Sequence, residues 1–124
     1  MEIPALGALI EEMAVEVYRI LGAGHSERVY HNAMEVMLRN AHLCYETERI
    51  VPIHFKNHVI GTMRADLIVE KRIIVELKSI KTLTNGSKRQ LDNYLLQTGY
   101  TNGILINFPN PDGGPEIDVY TSYS

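Results

Sequence analysis

Two adjacent apolar segments that carry charged residues at matching positions constrain the fold of this 124-residue chain most strongly. Residues 59–69 and 73–80 are rich in Val, Ile and Leu, which predicts two neighbouring strands. The first segment contains Asp66, and the second contains Glu76 and Lys78. Because an unpaired buried charge is costly, charged side chains inside such strands need a specific reason. Two carboxylates and a lysine on one face of a sheet suit a hard cation and a phosphodiester.

The hydrophobic pattern selects one register for these two strands. A three-residue loop at 70–72 gives one wholly apolar face, with the pairs Val69–Ile73, Leu67–Val75 and Ala65–Leu77. The other face then has the pairs Ile68–Ile74, Asp66–Glu76 and Arg64–Lys78. A two-residue loop would mix polar and apolar residues on both faces, so the pattern favours the longer loop. We therefore expect the two carboxylates to be cross-strand neighbours, about 5 Å apart at Cβ, where they repel unless a cation lies between them.

Composition places the chain among globular proteins without a global affinity for nucleic acid. The length predicts one domain over residues 1–124. A net charge of -3 provides no overall basic field, although a local basic rim remains compatible with it. Cys44 is the only cysteine, which excludes a disulfide framework and a thiolate metal cluster and favours a reducing, cytoplasmic setting. Glu11, Glu12 and Glu16 interrupt the apolar start of the chain and exclude a signal peptide or a membrane span there.

The remaining pattern predicts an α/β fold. Apolar residues at helical spacing predict one helix ending at Gly22 and a second beginning near Ser26. Strands are predicted at 44–55, 59–69, 73–80, 103–108 and 117–123, with a loop at 109–115. A third helix, capped by Thr84 or Asn85, runs to about Thr98. The resulting order ααβββαββ indicates a mixed β-sheet flanked by helices.

Glu27 and Lys78 each allow two interpretations from the residues alone. Glu27 is either an acid in the first turn of its helix, favoured by the helix dipole, or a third carboxylate aimed at the Asp66–Glu76 face. It lies on the inward stripe with Tyr30 and is therefore a candidate site residue. Lys78 is either a partner in a structural charge cluster or part of a metal site, and the pattern favours neither.

Five further residues are candidates with weaker support. Gln90 and Tyr94 lie one helical turn apart on the apolar side of the third helix, where an inward glutamine is usually a hydrogen-bonded core amide. Arg64, Lys88 and Arg89 are candidate phosphate contacts, although a solvated helix face explains the last two slightly better. The five histidines have no metal-ligand spacing. No strand leads into Gly22-Ala23-Gly24, which argues against a dinucleotide site.

Five ordered sequence blocks resemble the GxxExxY proteins of the PD-(D/E)XK nuclease superfamily. The blocks are Gly24-His-Ser-Glu27-Arg-Val-Tyr30, Arg64-Ala-Asp66, Val75-Glu76-Leu77-Lys78, Gln90-Leu-Asp-Asn-Tyr94 and Gly103-Ile-Leu-Ile-Asn107-Phe108. They extend over most of the chain, from about residue 22 to residue 108. Two positions depart from the family pattern: Ser87 stands where many relatives have histidine, and Pro109 stands where glycine is common.

The resemblance implies a restriction-endonuclease-like core and a specific division of roles. Asp66 and Glu76 would bind Mg²⁺ or Mn²⁺, helped by the backbone carbonyl of Leu77. Lys78 would orient the attacking water and offset negative charge, and Glu27 and Gln90 would occupy accessory positions.

The expected function is Mg²⁺-dependent hydrolysis of phosphodiester bonds in nucleic acid. DNA is favoured over RNA as the substrate. The alternative is a non-catalytic regulatory module that binds nucleic acid or protein on the same fold. A chain this small cannot surround a duplex, so we expect a homodimer or a partner subunit, and no membrane association.

Overall fold

The computed structural model describes residues 1–109 and 113–121 and contains the predicted order of elements. The helices are α1 (Ile3–Leu21), α2 (Glu27–Asn40) and α3 (Asn85–Thr98). The strands are β1 (Tyr45–Phe55), β2 (His58–Val69), β3 (Ile73–Lys78), β4 (Asn102–Asn107) and β5 (Glu116–Thr121). This order confirms the expected α/β fold with a restriction-endonuclease-like mixed sheet. Part of the predicted 109–115 loop, and Tyr123 of the predicted last strand, lie outside the described residues.

Local capping explains where the helices begin and end. The Ser26 hydroxyl accepts a hydrogen bond from the Val29 amide at 3.4 Å, and α2 begins at the next residue. Thr84 caps α3 in the same way through the Ser87 amide at 3.1 Å. Gly99 ends α3 with a φ of 80°, which a residue without Cβ adopts at low cost.

The five strands form one sheet in the order β1-β2-β3-β4-β5. Neighbouring strands are antiparallel except for β3 and β4, which are parallel and connected through α3. One buried cluster joins α1 and α2 to residues such as Leu67, Val75 and Ile106. A second cluster joins α3 to residues such as Ile68 and Leu105. The helices therefore cover both faces of the sheet, and none described here is long and apolar enough to cross a membrane.

The predicted β2–β3 register is correct near the turn and incomplete beyond it. Val69 pairs with Ile73, Ile68 with Ile74 and Leu67 with Val75, as expected. The described ladder ends there and does not include the Asp66–Glu76 or Arg64–Lys78 pairs.

The placement of Ala65 on the apolar face of Leu67 is wrong. Ala65 packs in the cluster that contains Leu91 and Tyr94 of α3. Opposite this part of β2, the strand β1 pairs at Thr47 and Arg49 but not at Glu48, which has a φ of 55°. An irregularity of this kind interrupts the alternation of strand faces, which the sequence pattern assumed to be unbroken.

Candidate active site

Asp66 and Glu76 lie at the point where β2 and β3 stop pairing. The Asp66 amide donates a hydrogen bond to Glu76 Oε1 at 3.2 Å. The Leu77 amide donates to Asp66 Oδ2 at 2.8 Å. Each carboxyl group thus satisfies a backbone N–H of the opposite strand, and the two side chains are only 7% and 3% exposed. The expected convergence of the two carboxyl groups is confirmed, although side chains rather than a continued ladder bring it about.

The Glu76 carboxyl group is costly to ionise in this setting. The pKa of Glu76 is raised from 4.5 to about 10. Burial is the largest cause, and the negative charge of Asp66 and a hydrogen bond between the two carboxyl groups act in the same direction. The positive charge of Lys78 acts in the opposite direction but is a smaller influence. Without a cation, Glu76 therefore keeps its proton at neutral pH.

The Leu77 carbonyl faces the same edge of β3 as these carboxyl groups. The Phe108 amide donates to the Lys78 carbonyl at 2.9 Å, so Lys78 directs its backbone groups towards β4. In a parallel ladder the adjacent residue directs its N–H and C=O to the other side, here towards β2. The hydrogen bond from the Leu77 amide to Asp66 agrees with this direction. Two carboxyl groups and one carbonyl can therefore be approached from a single edge.

A chain of hydrogen bonds connects Lys78 to α3 and back to β2. Lys78 Nζ donates to Gln90 Oε1 at 3.1 Å, and Gln90 Nε2 donates to the Tyr94 hydroxyl at 3.4 Å. The Tyr94 hydroxyl donates to the Arg64 carbonyl. Burial, followed by the charges of Glu76 and Asp66, raises the pKa of Tyr94 to about 12, so this phenol remains a donor at neutral pH. The chain holds the lysine beside the carboxyl pair.

Glu27 lies at the rim of the site, in the first turn of α2. Its side chain is exposed, yet partial desolvation and then the charge of Asp66 raise its pKa above the ordinary value. Lys78, Arg64 and His31 lower the pKa by smaller amounts. Among the residues that the structure describes, no three acidic, histidine or cysteine side chains form a metal-binding group. Glu27 is thus electrostatically coupled to the carboxyl pair without joining it.

A cleft of about 500 Å³ contains most of the predicted site residues. Its lining comprises Glu27, Ile50, Thr62, Met63, Arg64, Asp66, Glu76, Lys78, Gln90 and Tyr94. Lys88 and Arg89 are not among these residues. Lys88 Nζ lies 3.4 Å from Asp118 of β5, and Arg89 is exposed. An apolar cavity of about 480 Å³ between α1 and β4 lies apart from this chemistry.

Comparison with known proteins identifies the family. A sequence model of the PD-(D/E)XK nuclease superfamily matches residues 4–118. The chain belongs to this superfamily.

A solved relative agrees with this assignment at the level of the fold. The crystal structure of SSO0001 is similar with a TM-score of 0.62 and 24% sequence identity. The similarity covers 79% of this chain and 51% of that one, so the chain spans about half the length of this relative. Among curated proteins, none matches the sequence.

Tyr30 has a positional role that the sequence pattern did not reveal. Its ring stacks on Phe108 with centroids 4.4 Å apart, and its hydroxyl donates to the Gly22 carbonyl at 2.6 Å. The same hydroxyl accepts from the His25 amide at 3.3 Å. Tyr30 therefore fixes the segment that leads into α2, and with it the position of Glu27.

Asn107 organises the segment after β3 and was also missed as an individual residue. It is fully buried; its Oδ1 accepts from the Ile80 amide at 2.9 Å, and its Nδ2 donates to the Ile80 carbonyl at 3.0 Å. Nδ2 also donates to Glu116 Oε1 at 2.7 Å, and that carboxylate accepts from Leu83 and Thr82. A polar residue in the apolar run before Phe108 was the available signal. Ser87, the first departure from the family pattern, is hydrogen-bonded to Thr84 at the N-cap of α3.

Proposed function

We propose that this PD-(D/E)XK protein is a metal-dependent phosphodiesterase that hydrolyses nucleic acid, with DNA as the first substrate to test. The observation that carries the proposal is the buried Asp66–Glu76 pair with Lys78 on the same cleft. A structural charge cluster would gain little from Glu76 in this position, because burial and the neighbouring charge of Asp66 raise its pKa and disfavour its ionised form.

The oxygen donors fit a small divalent cation. Asp66, Glu76 and the Leu77 carbonyl would hold Mg²⁺ or Mn²⁺, leaving further positions to water and phosphate oxygens. Mg²⁺ is commonly bound through one or two carboxylates and otherwise keeps its waters, which suits a site without a third carboxylate. When bound, the cation would polarise the phosphate and lower the pKa of a water molecule.

The surrounding side chains would position the reacting groups. Lys78, held by Gln90 Oε1 at 3.1 Å, would orient the nucleophilic water and offset the negative charge that develops on the phosphate. Gln90 would act through Lys78, and Tyr94 would hold the Arg64 backbone. Glu27, whose pKa is raised at the rim, would accept a hydrogen bond from water entering the cleft.

The charge distribution supports a polyanionic substrate. Residues 49–64 and 77–91 contain seven of the 12 lysines and arginines and none of the 15 acidic residues. Both segments contribute side chains to the cleft, including Arg64 and Lys78. A basic rim in a protein of net charge -3 raises the local concentration of a phosphate backbone without general affinity for polyanions. We propose Arg64 as the nearest phosphate contact, with Lys88 and Arg89 as more distant ones.

We further propose a subfamily, a location and an oligomeric state for this protein. The GxxExxY blocks support membership in that subfamily, and Tyr30 now has a structural reason to accompany Glu27. We also propose that residues 1–124 act as one domain in the cytoplasm, as a homodimer or with a partner subunit.

A cleavage assay tests the proposed activity. Labelled single-stranded, double-stranded and branched DNA and RNA would be incubated with the protein and Mg²⁺ or Mn²⁺. Glu76→Ala should abolish cleavage, whereas Glu12→Ala, which removes an exposed carboxylate of α1, should not. Full activity in folded Glu76→Ala, or none in the wild-type protein on every substrate, would contradict the proposal in favour of the non-catalytic module.

A further inference from the structure

A second, smaller pocket adjoins the cleft at the carboxyl pair. Its volume is about 190 Å³, and Glu27, Arg64 and Asp66 line both this pocket and the cleft. Arg28 and His31 of α2 complete its lining. A group bound in this pocket would therefore lie beside a group bound at Asp66, and two guanidinium groups contribute to its wall.

His31 lines this pocket with an imidazole that already has hydrogen-bond partners. Its Nε2 lies 2.8 Å from Thr47 Oγ1 and 3.0 Å from Glu35 Oε2, and the side chain is only 4% exposed. The ring is thus fixed between α2 and β1. We therefore assign the cationic character of the pocket to Arg28 and Arg64.

The stability of α2 does not explain the position of Arg28. This residue lies in the first turn of the helix, where the helix dipole disfavours a cation and favours an anion. Arg28 Nη2 forms an ion pair with Glu48 Oε1, and the two side chains are 50% and 34% exposed. An ion pair this exposed contributes little to stability, because water solvates both partners well when they separate. A phosphate can therefore replace Glu48 as the partner of Arg28 at little cost.

Glu48 holds a carboxylate where a phosphate would be attracted. Its pKa lies below the ordinary value, mainly because of the hydrogen bond with Arg28; burial opposes this shift, and the charges of Arg28 and Arg64 add to it. Glu48 also interrupts the β1–β2 ladder with a φ of 55°, a conformation that residues other than glycine rarely adopt. Such irregularities redirect a side chain and are common beside active sites. The chain thus adopts an unfavourable backbone conformation that places this carboxylate against Arg28.

We propose that the pocket of Arg28 and Arg64 binds a backbone phosphate next to the one that is cleaved, and that Glu48 occupies this site until nucleic acid displaces it. The inference rests on the proposed function, because it adds a second phosphate site to the same cleft. A guanidinium group binds phosphate oxygens through two parallel hydrogen bonds, which suits Arg28 once its ion pair opens. The substrate class is accordingly a polynucleotide, since a small phosphodiester has no second phosphate to bind.

A purely structural ion pair and a phosphate site predict different effects for the two partners. If Arg28 and Glu48 only joined α2 to β1, replacing either one would change the affinity for DNA in the same direction. At a phosphate site, the loss of Arg28 removes a contact, whereas the loss of the Glu48 carboxylate removes a competing anion. The two substitutions should therefore change the affinity in opposite directions.

Equilibrium binding to DNA tests the proposal. A fluorescein-labelled 20-mer, as a single strand and as a duplex, would be titrated with protein at one salt concentration and in a chelator, which prevents cleavage. Arg28→Gln should weaken binding by about tenfold, and Glu48→Gln should tighten it by about threefold. In the Glu48→Gln background, Arg28→Gln should still weaken binding, which an effect through Glu48 alone would not produce.

A matched ion pair on α1 provides the control. Arg19 and Glu16 are also an exposed pair of opposite charges, and neither residue lines the pocket or the cleft. Arg19→Gln and Glu16→Gln should leave the affinity for DNA within about twofold.

Three results would overturn the inference. They are a change of affinity in the same direction in Arg28→Gln and Glu48→Gln, effects of the α1 variants as large as those of the pocket variants, and the absence of DNA binding by Glu48→Gln. Hydrolysis of bis(p-nitrophenyl) phosphate by the wild-type protein with Mn²⁺ tests the proposed activity separately, because this diester has a single phosphate. Failure to cleave it contradicts the enzyme proposal, while the binding comparison still decides the role of Arg28 and Glu48.

Discussion

Replacing Glu76 with glutamine is expected to stabilise the metal-free protein, although the substitution removes a buried residue of the candidate active site. Glu76 is 3% exposed and lies beside Asp66, so burial and the neighbouring charge raise its pKa to about 10. Glutamine has nearly the same shape. Its oxygen can accept from the Asp66 amide, and its NH₂ group can donate to the Asp66 carboxylate.

The expected gain depends on pH because the folded chain keeps a proton that the unfolded chain loses. Below the ordinary pKa of 4.5, both states hold this proton and Glu76 imposes no cost. As the pH rises from 4.5 towards 10, the unfolded state is favoured by about 1.4 kcal/mol per pH unit. At pH 7 the cost is on the order of 3 kcal/mol, which corresponds to a rise of roughly 10 °C in the melting temperature of Glu76→Gln.

Thermal unfolding in the presence of a chelator, from pH 4 to pH 9, measures this effect. The difference in melting temperature between Glu76→Gln and the wild-type protein should be close to zero at pH 4 and should increase with pH. Glu12→Gln controls for the loss of one negative charge at the surface of α1. A Glu76→Gln protein that is no more stable than the wild-type protein at pH 8, or a gain that is the same at every pH, would refute the reasoning.

Three further predictions concern the cation, the lysine and the buried amide. Millimolar Mg²⁺ or Mn²⁺ should raise the melting temperature of the wild-type protein and should have much less effect on Asp66→Asn; calorimetry that detects no cation binding would contradict the metal site. Lys78→Met should fold and bind the cation but lose at least about 100-fold in turnover, whereas Lys81→Met, an exposed lysine of the same basic segment, should retain activity. Unchanged turnover in folded Lys78→Met would remove this lysine from the mechanism. Asn107→Ala should lower the free energy of unfolding by on the order of 3 kcal/mol in chemical denaturation, because it leaves the Ile80 backbone groups without their partner and removes one of the donors to Glu116; a loss below about 1 kcal/mol would argue against this role.

The elements and part of the register could be predicted because they depend on local features of the chain. Ser26 and Thr84 cap their helices through amides only three residues ahead, which a linear pattern contains. The pairing of Leu67 with Val75 follows from a short loop and a period of two. Membership in the superfamily likewise depended on the order and spacing of short blocks.

Contacts between residues far apart in the chain could not be predicted from the sequence. The divergence of β2 and β3 at Asp66 could not be foreseen, because uninterrupted pairing satisfies the same hydrophobic pattern. Lys88 faces Asp118, a residue 30 positions away, rather than the cleft. The roles of Tyr30 and Asn107 depend on hydrogen bonds to backbone groups whose proximity exists only in the folded chain.

The residues that carry the chemistry, two carboxylates and a lysine within apolar strands, could thus be identified from the order of amino acids alone. Tertiary structure decided how those residues are used. The ladder stops at Asp66 and Glu76, their side chains take the free amides of the opposite strand, and α3 supplies Gln90 to hold Lys78. The physical reason is that side-chain type and periodicity are properties of the chain, whereas burial, desolvation and hydrogen-bond partners depend on contacts between residues far apart in it.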